Sequence, residues 1–285
     1  MKFRQAQAEI LVPDGRPERE ALARTTHLAI GAHPDDLEIN MAHGILECFG
    51  RADRWFAGVT CTDGAGSARA DVYAEYTDAQ MIEVRREEQR TAARVGRYGA
   101  MIQLAYSSAQ VKSPTGRAAL VEELVAILRA ARPRIVYTHN PADKHATHVA
   151  VSAAAIAALR ALASDERPER VLGCEGWRDL DWLPDARKVV LPMDAHPSLA
   201  MALMGVFDSQ IAGGKRYDLA AAGRRAANAT FLESHAVDVT DAASFAVDLT
   251  PLLADESLTP LAYMEQRIGE FRDEARKTWT AIGGV

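Results

Sequence analysis

His27-Leu28-Ala29-Ile30-Gly31-Ala32-His33-Pro34-Asp35-Asp36 is the stretch on which the fold of this chain turns. The run His27–Ala32 is short, apolar and uninterrupted, as a buried parallel strand is. The sequence then switches to an imidazole, a proline and two carboxylates. Pro34 suits the first turn of a helix, and acidic residues are favoured just inside a helix start. The stretch therefore predicts a central strand with His33, Asp35 and Asp36 at its carboxyl end, where open α/β sheets hold their ligands.

Working outward, the same alternation repeats. Trp55–Cys61, Met101–Tyr106 and Arg134–Thr138 read as strands. Met41–Phe49, Asp78–Val95, Arg117–Ala131 and Val149–Leu162 read as helices, the first two stopped by Gly50 and Gly96. A βαβαβα order implies parallel strands joined by right-handed crossovers, with helices on both faces. Beyond Ser164 the pattern weakens to a strand at Lys188–Leu191 and helices at Ser198–Ile211 and Leu261–Thr280. The expected fold is α/β, a Rossmann-like, mostly parallel sheet in a single domain over residues 1–285. Residues 1–24 form an N-terminal extension of it, and residues from about 164 to 285 a C-terminal elaboration.

The chain has 285 residues, 48% of them hydrophobic and 25% charged, with a net charge of −6. Nothing in that balance suits a polyanion, so nucleic acid is excluded as a partner. Cys48, Cys61 and Cys174 are odd in number and lack paired spacing, which argues against a disulfide framework and for a reducing cytoplasm. The polar N-terminus has no apolar signal-type core. The Ala-rich run Ala150–Ala163 is interrupted by Ser152 and Arg160 and reads as a packed helix, so no membrane span is expected.

A metal site at the strand end needs a further ligand, and His145-Ala146-Thr147-His148 follows the predicted strand Arg134–Thr138. Zinc and similar divalent ions take imidazole nitrogen and carboxylate oxygen, and catalytic zinc keeps three protein ligands and an exchangeable water. His33, Asp36 and His148 make such a set. Asp35 is then free as general base, and a protonated His145 would stabilise an oxyanion. Taken alone, Pro-Asp-Asp is also a sound helix start that needs no metal.

At these residues the chain resembles the PIG-L/LmbE-like family of metal-dependent N-deacetylases, N-acetylglucosaminyl deacetylase-like proteins of Rossmann-type fold. Ala32-His33-Pro34-Asp35-Asp36 is similar to the family's opening motif, and His145 and His148 to its later His-x-x-His. The resemblance implies metal ligands His33, Asp36 and His148, a base at Asp35 and a catalytic His145. Thr62-Asp63-Gly64 and the Arg85-containing helix resemble softer family features, and the similarity spans about His27 to Val151. Two positions depart from the pattern. Thr147 stands where the family often has a carboxylate, and Leu37 where many members carry Glu. Asp143, two residues upstream of His145, is a candidate to compensate for Thr147.

The remaining candidates each have a plain structural alternative. Asp63 suits a sugar hydroxyl or a simple Asp-Gly turn, and Arg85 a substrate clamp or a solvated helix face. Trp177-Arg178-Asp179 with Trp182 suits an aromatic wall for a sugar or ordinary packing. Gly213-Gly214-Lys215-Arg216-Tyr217 suits an anion cradle or a turn between helices. His235 is a minor candidate for the pocket, while His27, His43, His139 and His196 are read as structural. The predicted activity is zinc-dependent hydrolysis of a linear amide, removing an N-acetyl group from a carbohydrate-derived small molecule. Another divalent transition metal fits the same donors, and self-association is left open. The alternatives are a metal-binding Rossmann-like protein without hydrolytic activity and a hydrolase of another amide. A dinucleotide module is disfavoured, because His-Pro-Asp-Asp replaces the Gly-x-Gly-x-x-Gly turn.

Overall fold

The computed structural model describes residues 1–284. Its strands are β1 (Glu9–Leu11), β2 (His27–Gly31), β3 (Phe56–Thr62), β4 (Ala100–Tyr106), β5 (Ile135–His139), β6 (Arg170–Cys174), β7 (Lys188–Pro192) and β8 (Ala243–Asp248). They form one sheet in the order β1-β4-β3-β2-β5-β6-β8-β7. The inner five, β4 to β6 in that order, are mutually parallel. β1, β7 and β8 pair antiparallel at the two edges. The sheet is thus mixed and mostly parallel, with helices on both sides.

Alternation along the strands builds a core on each face, because successive side chains point to opposite sides. Leu28 and Ile30 pack with Val59, Ile102, Leu124 and Val151 on one face. Ala29 packs with Leu37, Ile45, Phe56 and Tyr137 on the other. All five β2 residues are buried, so this strand lies at the centre. Its neighbours are β3 and β5, reached by connections that run to opposite sides. The ends of β2 and β5 therefore open a crevice at a topological switch point.

The helices Asp78–Val95, Pro114–Ala131 and Ala146–Arg160 lie close to their predicted spans. The region predicted as one helix over Ser198–Ile211 is two, Pro197–Gly205 and Asp208–Ile211, and the C-terminal helix runs Pro260–Ala281. Among the elements that had no clear sequence signal are β6, β8 and the helix Tyr217–Thr230. β6 contains Gly173 and β8 mixes small and polar residues, so neither presents a continuous apolar run. The N-terminal extension supplies β1, paired with Met101–Gln103 of β4. No helix among the described residues is long and apolar enough to cross a membrane.

Candidate metal centre and active site

The site is built on the turn after β2. The helix there starts at Asp36, and Asp35 caps it with φ 99° and ψ −27°, so Pro34 lies before the helix rather than in its first turn. Such a left-handed backbone costs a non-glycine residue about 1–3 kcal/mol and persists only where tertiary contacts impose it. Those contacts are present. The Asp35 N–H donates to Gln89 Oε1 at 3.2 Å, and Arg85 Nη2 lies 2.9 Å from Asp35 Oδ2. The carboxylate is thereby drawn away from capping its own helix.

Asp36 is held by the His33 N–H, which donates to Oδ2 at 2.6 Å, and by Asn40 Nδ2, which donates to Oδ1 at 3.1 Å. His33 Nδ1 lies 3.2 Å from Asp36 Oδ2 and 3.3 Å from His148 Nε2, and His148 Nε2 lies 3.3 Å from Asp36 Oδ1. A tetrahedral zinc ion bound at about 2.0–2.1 Å has donor–donor edges of about 3.3–3.4 Å. The separation of the two imidazole nitrogens matches such an edge, and Asp36 turns one oxygen to each ring, Oδ2 to His33 and Oδ1 to His148. The donor set, two nitrogens and one oxygen, is also one that zinc accepts.

His148 is fixed from behind. Asp143 Oδ2 is 2.9 Å from His148 Nδ1, and the Trp177 and Arg178 N–H groups donate to the same carboxylate at 3.2 and 3.1 Å. A carboxylate on the far nitrogen of a metal-binding histidine sets its tautomer and ring orientation. Asp143 therefore supports His148, rather than His145 as the sequence suggested; His145 receives only a backbone contact to it, at 3.3 Å. Gly176 makes the close approach possible, because a Cβ there would sit 2.4 Å from Asp143 Oδ2. Asp143→Asn is expected to weaken metal affinity about 10–100-fold, as loss of such an outer partner does. Competition with a chromophoric chelator measures it.

Electrostatically the pocket is a cation site. Burial works to lower the His148 pKa, but the Asp36 and Asp143 carboxylates overcome it and raise the ring to about 10. Burial likewise pushes Asp36 upward, yet His148 and His139 hold it well below the usual carboxylate range. Without a metal, the cluster thus draws a proton onto His148. His145 goes the other way: burial, then His148 and His33, lower it to about 4, so its ring is neutral at pH 7. That differs from the protonated state expected from sequence.

His145 caps the helix Ala146–Arg160, and its buried Nδ1 has no partner among the described residues. It offers a further nitrogen within 4.8 Å of those of His33 and His148. His139 also falls within 4.8 Å of Asp36 and His148, but it accepts the Ala32 N–H on Nε2 at 3.0 Å. Its ring stacks flat on His148, with centroids 3.8 Å apart. The same Nε2 lies 3.3 Å from Asp36 Oδ2, so His139 faces both the backbone N–H and the carboxylate from beneath the cluster.

Asp35 lies buried beside this cluster. Burial raises it to about 6, against the pull of Arg85 and with a further push from Asp36. Arg85 is 1% exposed and also reaches Glu88 Oε2 at 3.1 Å, Ser209 Oγ at 3.3 Å and the Pro34 carbonyl. It is an anchor beneath Asp35 at the cavity floor. Asp63 closes its loop by accepting the Ala65 N–H at 3.1 Å. Arg178 is exposed, with Nε bonded to the Ala142 carbonyl at 2.8 Å, and His235 lies in the exposed stretch 233–239. Neither Arg178 nor His235 is brought to the cavity wall.

The cavity over this floor has a volume of about 750 Å³ and is walled in part by Trp177, Gln210, Tyr217 and Arg224. Sequence reasoning passed over several residues that matter here. Ser209 binds both Arg85 and its helix neighbour Glu88, and Gln89 joins Asp35 to the buried Glu38, which also accepts the Tyr98 hydroxyl. Only the contact between distant segments reveals them.

Residues 28–159 match the PIG-L family model, described as GlcNAc-PI de-N-acetylase. Among solved structures, a conserved protein from Thermus thermophilus is 21% identical with a TM-score of 0.61, over 79% of this chain and 94% of that one. The N,N'-diacetylchitobiose deacetylase from Pyrococcus horikoshii is 16% identical with a TM-score of 0.62, over 81% and 86%. The 4-carboxy-2-hydroxymuconate hydratase from Pseudomonas putida is 17% identical with a TM-score of 0.61, over 79% and 96%. At these identities the likeness establishes the fold, which evidently serves more than one reaction. No curated protein sequence matches the chain.

Proposed function

We propose that this chain, with its PIG-L-type segment 28–159, removes the N-acetyl group from a small sugar-derived amide, using a divalent metal ion held by His33, Asp36 and His148. The observation that carries the reading is the cluster of His33 Nδ1 and His148 Nε2, 3.3 Å apart and each 3.2–3.3 Å from a different Asp36 oxygen, beside an Asp35 raised to about 6. The family match supports the choice of an N-acetyl group over other acyl groups. Zinc is our first assignment, and iron, manganese or nickel would accept the same donors.

When bound, the ion supplies an acidified water and polarises the acyl carbonyl. Arg85 occupies Asp35 Oδ2 and leaves Oδ1 to take the proton as water adds to the acyl carbon. Asp35 returns that proton to the amide nitrogen as the C–N bond breaks, giving acetate and the free amine. The neutral His145 ring donates a hydrogen bond to the carbonyl oxygen as negative charge builds there. Trp177 and Tyr217, whose rings meet edge-on with centroids 5.9 Å apart, offer an apolar wall to a sugar ring.

Acetate release from a panel of N-acetylated aminosugars tests the reading. We expect acetate and free amine in equal amounts, loss of both on chelation and recovery on adding zinc. A metal-loaded protein that releases acetate from no member would overturn it. Because His148 is protonated in the metal-free state, loading the site at pH 7 should release a proton, and affinity should fall as pH falls. Calorimetry in buffers of different ionisation enthalpy reads that proton directly.

A further inference from the structure

Four cationic side chains converge on the cavity from separate parts of the chain. Lys112 ends the short helix Ser108–Lys112, Lys144 lies just before His145, Lys215 follows the Gly213-Gly214 turn, and Arg224 lies on the helix Tyr217–Thr230. Nearby cations are already paired: Arg216 with Asp218 at 2.8 Å, and Arg85 with Asp35 and Glu88. These four pair with no carboxylate among the described residues. The cavity's own acids, Asp35 and Asp36, lie at the floor and are taken up by Arg85 and the imidazoles. In a chain of net charge −6, one cavity thus has an anionic floor and a cationic wall, in which only Arg224 has a nearby carboxylate, the buried Glu175.

The wall is positioned as well as charged. Tyr217, Ala220, Ala221 and Arg224 all line the cavity, at the spacing of a single helix face, and the two alanines leave room beside the arginine. Arg224 donates from Nη1 to the Gly176 carbonyl, which tethers the guanidinium to the segment that carries Trp177. The Lys215 ammonium sits 5.1 Å from the centroid of the Trp177 ring. The turn that delivers Lys215 needs glycine, since Gly214 has φ +95°.

We infer that the substrate carries a compact anionic group, a phosphate or a carboxylate, which Lys215 and Arg224 bind with Lys112 and Lys144 adding to the attractive field. The amide lies on the His33–Asp36–His148 floor while the anion lies against this wall, so the charge sets which end of the molecule enters first. The inference rests on the hydrolase reading for the reaction that follows, but not for the binding itself. Charge-assisted hydrogen bonds are strong in a partly desolvated cleft, and the attraction is screened by salt.

The test compares N-acetylglucosamine, its 6-phosphate, its 1-phosphate and N-acetylmuramic acid as substrates of the zinc-loaded protein. We expect at least one charged member to exceed the neutral sugar in kcat/KM by about tenfold or more, mainly through KM, with the advantage shrinking as salt is raised. The phosphate and carboxylate arms identify which anion is preferred. In K215A/R224A that preference should fall towards one, through a rise in KM for the charged substrate. Equal kcat/KM for charged and neutral members in the unmodified protein would overturn the inference. Should no member release acetate, binding still decides. Calorimetry with glucosamine 6-phosphate, glucosamine 1-phosphate, muramic acid and glucosamine should show tighter binding of at least one of the three anionic ligands, lost in K215A/R224A. Equal binding of all four, or an advantage that survives in the variant, would overturn the inference, whereas an advantage lost in the variant without acetate release overturns only the deacetylase reading.

Discussion

Asp35→Asn should abolish nearly all turnover while leaving the metal in place. The amide keeps the shape of the carboxylate but cannot take a proton, and positioned general bases contribute about 10²–10⁴-fold to rate. Asp35 stands outside the ligand triangle, so metal content should stay close to that of the unmodified protein. Steady-state kinetics with metal analysis of the same preparation checks both halves. A variant that keeps full activity with bound metal would remove Asp35 from the mechanism. The pH profile gives a second reading. Asp35, raised to about 6 by burial, must be ionised to act, so activity should fall as pH drops through its pKa. A divalent ion beside it favours the charged form, which places this acidic limb at or below pH 6.

Arg85→Met should have the largest effect on stability. The side chain is 1% exposed and serves Asp35, Glu88, Ser209 and the Pro34 carbonyl together. Removing it leaves two buried carboxylates without their cation, and breaking a buried pair in this way costs about 3–5 kcal/mol. Methionine keeps the apolar stem, so the loss reports on charge more than on volume. Denaturant titration should show a lower midpoint with an unchanged slope. The residual activity should also shift, because losing the nearby positive charge raises the Asp35 pKa and moves the acidic limb to higher pH. A variant of unchanged stability and profile would show that the guanidinium does not hold Asp35.

The two predictions differ in how far the sequence could have supplied them. Asp35 follows from local chemistry: a strand end, a histidine and two adjacent carboxylates, which offer one group as a candidate ligand and leave one over. Arg85 does not. On its helix it is one of several charged residues, and whether it faces water or the core depends on where Phe207 and Ser209 come to rest. Ser209 is 124 residues away in the chain. Asp143 is a similar case: five residues from His148 and two from His145, it could be assigned to either until the segment with Trp177 and Arg178 closed over it.

The sequence by itself determined the parallel centre of the sheet, the strand ends that carry the site, and the residue types able to hold a metal. Those properties are local, set by side-chain periodicity and by what histidine and aspartate can ligate. The tertiary structure alone decided which groups meet within 3–4 Å, Asp143 with His148 and Arg85 with Asp35, and which four cations face one cavity. Electrostatic energies and proton affinities change steeply over such distances, and the packing of remote segments sets them. The candidate donors were therefore legible in the chain, whereas their partners and charge states came only with the fold.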